Sequence, residues 1–435
     1  MNKTLFSICC LLCLSLNSFA TNVSGYFTTN TTWTKANSPY IVTGSIYFET
    51  GTTLTVEPGT RIHFAGNYYI TLKGNLSLKG TATDSIIVTS ATIQTIGFDT
   101  DGSNSTDTLV VDYCHFSNIG TAIRARSTIP VKLTNSVFEN CGACLDFGKY
   151  AYVDNCSFSH NSIAINGMGP VYVTNSTFKY SSYYAICLNT WYSNSYCAYN
   201  QFHDNSTAIL RCATVSYNTI TGCNARGLES CTYINNNQIW YNRIGIENGG
   251  VSITHNSIEY NDIGLQYAGG STATIENNCI HHNTTYDLDN KGGADISVSN
   301  NYWAETDSAK ISNKIFDFYD DIFGGRGKVR LLPVLTTKDS ACTDTIIKPA
   351  KIITTQKLST IAVYPNPVNS SFTIDAGTQA IQEVFVYNMT GSLAFHATAN
   401  KSKLEIDASS FTNGIYVYKA RLANESIQTG KIVKQ

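Results

Sequence analysis

Apolar residues return at regular intervals through the middle of the chain. Between residues 109 and 302 an aromatic or aliphatic anchor recurs about every twenty residues, a spacing typical of repeat architectures. An apolar residue stands five positions before each of the first nine anchors, and another follows seven or eight positions later. Each repeat is therefore predicted to form three short strands. Each strand contributes one inward-facing apolar residue, and these residues form a row along the stack. The anchors are Phe116, Phe138, Phe158, Phe178, Phe202, Ile220, Ile239, Ile258, Ile280 and Tyr302.

Short strands joined by corners rich in Asn and Gly cannot bury their apolar rows singly. Stacking successive coils at ~4.8 Å buries a continuous core. The pattern therefore favours an all-β, right-handed parallel β-helix, with about nine or ten coils over residues 109–302. Val153, Phe158 and Ile165 are expected to face inward. The alternative is a β-sandwich of about seven strands, which predicts hairpin turns and no fixed register between repeats.

The two ends of the chain depart from this repeat. Residues 1–20 read as a secretory signal peptide, with an apolar run from Leu5 to Leu16 and a small-residue cleavage site before Thr21. The β-helix is predicted for residues 21–335, a Thr-, Lys- and Ser-rich linker for 336–358, and a small β-sandwich for 359–435. No later segment approaches the ~18 to 20 apolar residues of a membrane span, so none is expected after signal cleavage.

Charge and cysteine content limit the partners and the disulfide bonds that the chain is expected to have. A formal net charge of −2 provides no basic excess for phosphates, so a nucleic-acid partner is not expected. Three of the fourteen cysteines lie in the signal peptide, and the remaining odd number excludes complete intramolecular pairing. Cys212 and Cys231 each stand eight residues before an anchor and are expected on adjacent coils. A disulfide and an unbonded stack are both open, and we favour the unbonded stack.

Two rows of outward residues are candidate binding or catalytic surfaces. The first row carries Tyr152, Tyr172, Tyr196 and Tyr233, with Asp154 beside it. Aromatic faces flanked by carboxylates and hydroxyls can hold sugar rings, so these are the candidate carbohydrate-binding residues. The alternative is that Tyr simply suits an exposed strand.

The second row carries Asp146, Glu229 and Glu247, the candidate catalytic residues. Glu229 and Glu247 fall on adjacent coils, and retaining glycosidases place two carboxyls ~5 to 5.5 Å apart. Such a pair would also attract Ca²⁺, but no motif supports a metal or cofactor, and a solvated acidic face is the alternative. A lyase would instead use a cation and a base, for which Arg124, Arg126, Lys132 and Lys149 lie near Asp146 and Tyr152 in sequence.

Two short motifs have the residue types of metal ligands. His281 and His282 are adjacent, and neighbouring strand residues face opposite sides of a sheet, so the rings are expected to diverge. Cys141 and Cys144 have the spacing of a zinc knuckle but lack a second pair. No metal site is predicted from either motif.

The first and last coils carry a family resemblance. Ser38-Pro39-Tyr40-Ile41-Val42-Thr43-Gly44, Leu54-Thr55-Val56-Glu57-Pro58-Gly59-Thr60 and Asn300-Asn301-Tyr302-Trp303 resemble segments of right-handed parallel β-helix repeat proteins, a superfamily that includes pectate-lyase-like enzymes. Ala304 stands where Gly is common in that family. The resemblance implies the fold strongly and the activity only weakly, because one fold supports many functions.

The tail resembles a second family. Tyr364-Pro365-Asn366-Pro367, Gly414-Ile415-Tyr416-Val417-Tyr418-Lys419 and the final Gly430-Lys431-Ile432-Val433-Lys434 are similar to the type A C-terminal sorting domain of the type IX secretion system of Bacteroidota. The resemblance implies that residues 359–435 engage the secretion machinery and are then removed or exchanged for a lipopolysaccharide anchor. The protein is thus expected to be secreted or held at the outer-membrane surface.

Two hypotheses for function follow. The first is a binding protein that recognises carbohydrate or another surface polymer through its outward rows. The second is a polysaccharide lyase or glycoside hydrolase acting on an extracellular polysaccharide. The sequence leaves open whether the protein is an enzyme.

Overall fold

A computed structural model describes most of the chain, in two units, Met1–Asp344 and Thr345–Gln435. The signal peptide and most of the linker predicted from the sequence lie outside the described residues. The described ranges are residues 20–100, 109–125, 129–189, 194–269, 273–338, 361–377, 379–388, 393–423 and 427–435.

The first unit is a stack of coils with three faces, and each face is a sheet of parallel strands. One face is a twelve-stranded sheet, here called the tyrosine sheet because it carries the tyrosine row. Its strands are Thr31–Trp33, Thr53–Val56, Asn75–Lys79, Leu109–Asp112, Val131–Thr134, Ala151–Asp154, Val171–Thr174, Tyr196–Ala198, Thr214–Ser216, Tyr233–Asn235, Ser252–Thr254 and Thr274–Glu276.

The second face, here called the phenylalanine sheet, carries the anchors. Its strands are Arg61–Phe64, Ile86–Ser90, Cys114–Ser117, Val137–Glu139, Ser157–Ser159, Thr177–Lys179, Gln201–His203, Thr219–Thr221, Gln238–Trp240, Ser257–Glu259 and Cys279–His281. The third face, here called the carboxylate sheet, carries the acidic row. Its strands are Ile70–Leu72, Ile96–Thr100, Thr121–Ala125, Ala143–Phe147, Ile163–Gly167, Tyr184–Leu188, Thr207–Leu210, Arg226–Glu229, Ile244–Glu247, Ile263–Tyr267, Tyr286–Asn290 and Ile315–Phe316. Thr21–Phe27 and Tyr40–Phe48 start the stack and span the second and third faces.

The parallel pairing confirms the β-helix and excludes the β-sandwich for this unit. Successive anchors pair in register, as Phe138 does with Phe158. Val153, Phe158 and Ile165 are fully buried, as predicted. One anchor was assigned wrongly, because Tyr302 bridges Cys279 and is half-buried, while the neighbouring Trp303 enters the core.

The core changes chemistry along the stack. From Phe116 to Phe202 the five anchor rings stack with centroids 4.7 to 5.2 Å apart, close to the ~4.8 Å spacing between parallel strands. From Ile220 onward the same position is aliphatic and fully buried. The coil geometry therefore accepts either a ring stack or a column of branched side chains.

Buried asparagines line the corner between the tyrosine and phenylalanine sheets. In each one after the first, Oδ1 accepts hydrogen bonds from the backbone N–H and the Nδ2 of the asparagine one coil earlier, at 2.9 to 3.1 Å. The residue before each one has a positive φ, which turns the chain sharply into the next strand. This asparagine ladder consists of Asn200, Asn218, Asn237, Asn256, Asn278 and Asn301.

A second asparagine ladder lies at the corner between the phenylalanine and carboxylate sheets. Asn242, Asn261 and Asn283 repeat the same pattern, and Asp287 closes it by accepting from Asn283. Burial raises the pKa of the Asp287 carboxyl, against the smaller opposing effect of its hydrogen bonds from Asn283. The sequence placed asparagines at the corners but gave no prediction of their burial.

Nine cysteines among the described residues are buried free thiols. Cys212 and Cys231 both stand two residues before the paired Thr214 and Tyr233, so they occupy equivalent positions on adjacent coils. Burial raises the pKa of both thiols. The structure therefore has the unbonded arrangement that we favoured.

The last coil is followed by a closing segment, residues 296–330. It contains the short helix Ser308–Ser312 and the pair of strands Ile296–Ser297 and Val329–Arg330. Ile311 and Ile315 from this segment pack against the core. No helix within the described residues is long and apolar enough to cross a membrane.

The second unit contains two antiparallel sheets around its own core. One sheet contains Ala362–Tyr364, Ser371–Asp375 and Lys403–Asp407. The other contains Leu393–Lys401, Ile381–Asn388, Gly414–Leu422 and Ile427–Lys434. Both sheets supply buried side chains to one cluster, which agrees with the β-sandwich predicted for this region.

Candidate functional site

A groove of about 490 Å³ lies on the carboxylate sheet near the C-terminal end of the stack. Most of its lining side chains are polar or charged, and both signs of charge are present. They belong to Arg226, Arg243, Ile244, Glu247, Asp262, Ile263, Gln266, Thr285, Asp289 and Lys291.

Of the predicted pair, Glu247 lines this groove, and Glu229 lies beside it on the preceding coil. The two residues are directly opposite on neighbouring strands, as the repeat spacing indicated. Arg226 forms ion pairs with both: its Nε contacts Glu247 Oε2 and lies 3.7 Å from Glu229 Oε2. The arrangement is therefore two carboxylates sharing one guanidinium, and not an isolated acid pair. The sequence interpretation missed Arg226, although it stands on the same strand as Glu229.

A second polar network lines the same groove. Gln266 Nε2 donates to Asp289 Oδ2 at 2.9 Å, and Arg326 Nη1 donates to Asp289 Oδ1 at 2.6 Å. The Arg326 guanidinium also lies 4.4 Å from the centre of the Phe316 ring. Arg326 belongs to the closing segment, outside the repeat, so the spacing of the coils gave no signal for it. These contacts hold the Asp289 carboxylate in one orientation.

The third acidic candidate, Asp146, is remote from the groove. It was expected at the surface, but its side chain is buried and accepts a hydrogen bond from Asn166 Nδ2 at 3.3 Å. Asp146 therefore contributes to the coil and does not line the groove.

The residues considered for a lyase site lie on different faces. Arg124 and Asp146 pair on the carboxylate sheet, and Arg124 lies 3.7 Å from Asp99. Lys132 and Tyr152 lie on the tyrosine sheet, with the Lys132 ammonium 6.0 Å from the ring centre. Arg126 lies outside the described residues. The structure therefore divides the described candidates between two sheets, with Arg124 beside Asp146 on one and Lys132 beside Tyr152 on the other.

The tyrosine row has the predicted register. Tyr152 pairs with Tyr172 and Tyr172 with Tyr196, while Thr214 separates Tyr196 from Tyr233. Tyr152, Tyr172 and Tyr233 are 38 to 46% exposed, and Tyr196 is half-buried. The row is therefore a strip of partly exposed tyrosine rings, interrupted at Thr214.

Asp154, beside this row, has partners within the fold. Its Oδ1 accepts hydrogen bonds from Thr174 Oγ1 at 2.6 Å and Asn175 Nδ2 at 2.8 Å. Both donors belong to the next coil. Asp154 therefore links two coils, and only its remaining acceptor capacity faces outward.

The two adjacent histidines do not diverge as expected. The Nδ1 atoms of His281 and His282 lie 2.8 Å apart, and His281 Nδ1 lies 3.7 Å from Glu259 Oε2. The expectation failed because His281 ends its strand and His282 has a φ of 56°, so the alternation of strand side chains stops there. Burial lowers the pKa of His281 to about 4, with smaller effects from His282 and Lys338, so this imidazole is neutral at pH 7.

Comparison with known families bears on both units. Residues 25–102 match the family described as pectate-lyase like beta helix domain, and residues 362–435 match the secretion system C-terminal sorting domain. Both resemblances inferred from the sequence are confirmed. The sorting domain indicates export to the cell surface or the medium, and supports an interaction with the secretion machinery.

A curated enzyme is also similar to part of the chain. Ulvan lyase NLR42 from Nonlabens ulvanivorans is 26% identical over 82 residues. The match spans 19% of this chain and 15% of that enzyme. This short overlap does not extend the enzyme's activity to the chain.

Proposed function

We propose that this exported β-helix binds an extracellular polysaccharide, with the groove on the carboxylate sheet as its principal site. The groove itself carries the proposal. Its volume of about 490 Å³ falls within the ~300 to 1,000 Å³ of typical ligand sites. Its lining is more polar than that of most small-molecule sites, which suits a ligand covered with hydroxyl and charged groups.

The fixed carboxylates and cations explain how such a ligand would be held. Asp289 lines the groove and is oriented by Gln266 and Arg326, so its remaining lone pairs can accept from sugar hydroxyls without further ordering. Arg243 and Lys291 line the same groove and provide donors. A polymer that carries carboxylate or sulfate groups would pair with these two cations.

The tyrosine row supports the same function as a secondary surface. Successive strands place its exposed rings at the spacing between coils, which allows a long polymer to contact several of them. Export to the cell surface or medium places the protein where such polymers occur.

A glycan array with the purified mature protein tests the proposal, followed by affinity measurements with any glycan that binds. We expect Arg243→Ala and Lys291→Ala to weaken binding at least about tenfold, as the loss of a charged hydrogen bond requires. Tyr172→Ala should have a smaller effect. Lys179→Ala, an exposed cation on the phenylalanine sheet, is the matched control.

Two results would contradict the proposal. One is that the array shows no bound glycan. The other is that Lys179→Ala weakens binding as much as the groove variants do.

A polysaccharide lyase is the second candidate, because the Arg226 guanidinium in the same groove lies beside the carboxylates of Glu229 and Glu247. A cation that neutralises the substrate carboxylate and a base that removes the adjacent proton are the groups such an elimination needs. Product analysis with the bound glycan tests it: a lyase releases fragments with a new double bond, and a glycoside hydrolase releases only reducing ends. Glu247→Gln should abolish release and retain binding. Unchanged release would exclude Glu247 as the base.

A further inference from the structure

We propose that Glu259, His281 and His282 form a binding site for a borderline divalent metal ion such as Zn²⁺. One potential ligand atom from each residue lies within 4.8 Å of the other two. None of these residues lines the groove of the proposed function.

The spacing of the ligand atoms fits tetrahedral coordination. Bonds of about 2.0 to 2.1 Å place the ligand atoms of a tetrahedral zinc site about 3.3 Å apart. The distance of 2.8 Å between the two Nδ1 atoms and the 3.7 Å from His281 Nδ1 to Glu259 Oε2 lie on either side of that value. Movements of a few tenths of an ångström would complete the three-ligand set.

The backbone explains why two adjacent histidines reach one point. His281 is the last residue of its strand and lies in register with Glu259 on the preceding coil. His282 takes the positive-φ corner position, which turns its ring toward that of His281, with 90° between the ring planes. The ring of His282 is further held by stacking on Tyr260 at 5.4 Å.

Glu259 is oriented by a chain of hydrogen bonds behind it. Trp240 Nε1 donates to Ser257 Oγ at 2.8 Å, and Ser257 Oγ donates to Glu259 Oε1. These contacts fix one carboxylate oxygen and leave Oε2 on the side of the imidazoles. Outer contacts that orient a ligating carboxylate are a regular feature of protein metal sites.

The donor set selects the class of metal. Two imidazoles and one carboxylate suit Zn²⁺ and its neighbours, whereas Ca²⁺ and Mg²⁺ prefer all-oxygen sites. Glu259 and His281 are buried and His282 is exposed, so the fourth position opens toward solvent. Three protein ligands with one open position are the arrangement that leaves room for a water molecule or an exogenous ligand.

Calorimetric titration of the EDTA-treated full mature protein with ZnCl₂ tests the site. We expect one saturable site in the wild type, and affinity at least about tenfold weaker in Glu259→Gln and in His282→Asn. CaCl₂ should give no comparable saturation. His160→Asn is the matched control, because His160 occupies the equivalent corner position with a φ of 55° and stacks on Tyr180.

Equal zinc affinity in the wild type and both site variants would overturn the proposal, as would the absence of saturation in the wild type. The latter result would leave the two histidines as a hydrogen-bonded pair only. Visible absorption of Co²⁺ added to the wild type gives a second readout that does not depend on the folding of any variant. A spectrum of nitrogen- and oxygen-coordinated Co²⁺ supports the site, and the spectrum of the hydrated ion contradicts it.

Discussion

The coils before and after residue 210 have the same backbone but are stabilised by different side-chain chemistry. In the phenylalanine coils, residues 109–210, five stacked rings fill the anchor position. At the corner between the tyrosine and phenylalanine sheets, the hydroxyls of Ser136 and Ser176 each accept a hydrogen bond from one backbone N–H. In the isoleucine coils, residues 214–290, the anchors are aliphatic and the corners carry asparagine ladders. The ring stack thus accompanies isolated caps at the corners, and the aliphatic core accompanies continuous chains of hydrogen-bonded amides. We therefore expect the core to contribute more to stability in the first region, and the corners to contribute more in the second.

The largest effect should come from breaking the ring stack. Phe158 packs between Phe138 and Phe178, with centroid distances of 5.2 and 4.7 Å. Phe158→Ala should lower the free energy of unfolding by about 4 kcal/mol through lost burial, stacking and a cavity. The matched change Ile239→Ala removes less volume and should cost about 3 kcal/mol. Urea unfolding of both variants measures the difference. An equal loss would mean that ring stacking adds nothing to the stability of the phenylalanine coils.

The next largest effect should come from interrupting the first asparagine ladder. Asn237 Oδ1 accepts from the backbone N–H and Nδ2 of Asn218, and its Nδ2 donates to Val215 O. Asn237→Ala removes all of these hydrogen bonds and leaves the buried backbone N–H of Asn218 without its acceptor, so we expect a loss of about 3 kcal/mol. Ser176→Ala removes one accepted hydrogen bond in the phenylalanine coils and should cost about 1 kcal/mol. Similar losses in the two variants would remove the contrast between the regions.

A smaller gain should follow from extending the first asparagine ladder into the phenylalanine coils. Asn200 Oδ1 already accepts from the backbone N–H of Ser176, and Asn175 has the positive φ of the corner. Ser176→Asn would add an amide at the next ladder position and should raise the free energy of unfolding by about 1 kcal/mol. Thermal unfolding compared with the wild type measures it. Destabilisation would show that the corner of the phenylalanine coils is too closely packed for the amide.

The smallest effect concerns Asp287, which ends the second asparagine ladder. Its folded-state pKa is raised by burial, so the folded state holds the proton more tightly than the unfolded state. The free energy of unfolding therefore falls as pH rises from the unfolded-state pKa of about 3.9 to the higher pKa of the folded state. Asp287→Asn retains an acceptor for Asn283 without the charge, and should be more stable than the wild type at pH 7 by up to about 1 kcal/mol. The difference should disappear below about pH 4 in urea unfolding across pH. A difference that does not depend on pH would reject this explanation.

The sequence predicted the inward rows well and the corners poorly. Burial of Val153, Phe158 and Ile165 follows from strand alternation, which depends only on neighbouring positions. The function of an Asn such as Asn237 depends on a partner in the next coil and on the positive φ of the residue before it. Composition alone could not separate such a buried amide from an exposed turn residue. The asparagines at equivalent offsets in successive coils were the available signal.

In the candidate site, too, some contacts could be predicted from the repeat and others could not. The register of Glu229 and Glu247 follows from the repeat, so their proximity could be predicted. Arg326 reaches Asp289 from a segment with no repeat, and His282 meets His281 only because the strand has ended. Contacts made by irregular backbone have no period, and they account for most of what the sequence interpretation missed.

The buried thiols make the timing of folding important in an exported protein. Outside the cytoplasm the unfolded chain exposes its cysteines to oxidants, and close pairs such as Cys141 and Cys144 can join before the coils form. Once the coils have stacked, burial keeps thiols such as Cys223 protonated, with a pKa of about 12, and out of reach of oxidants. Folding thus competes with oxidation, and the chain that stacks first keeps its thiols reduced without any reductant.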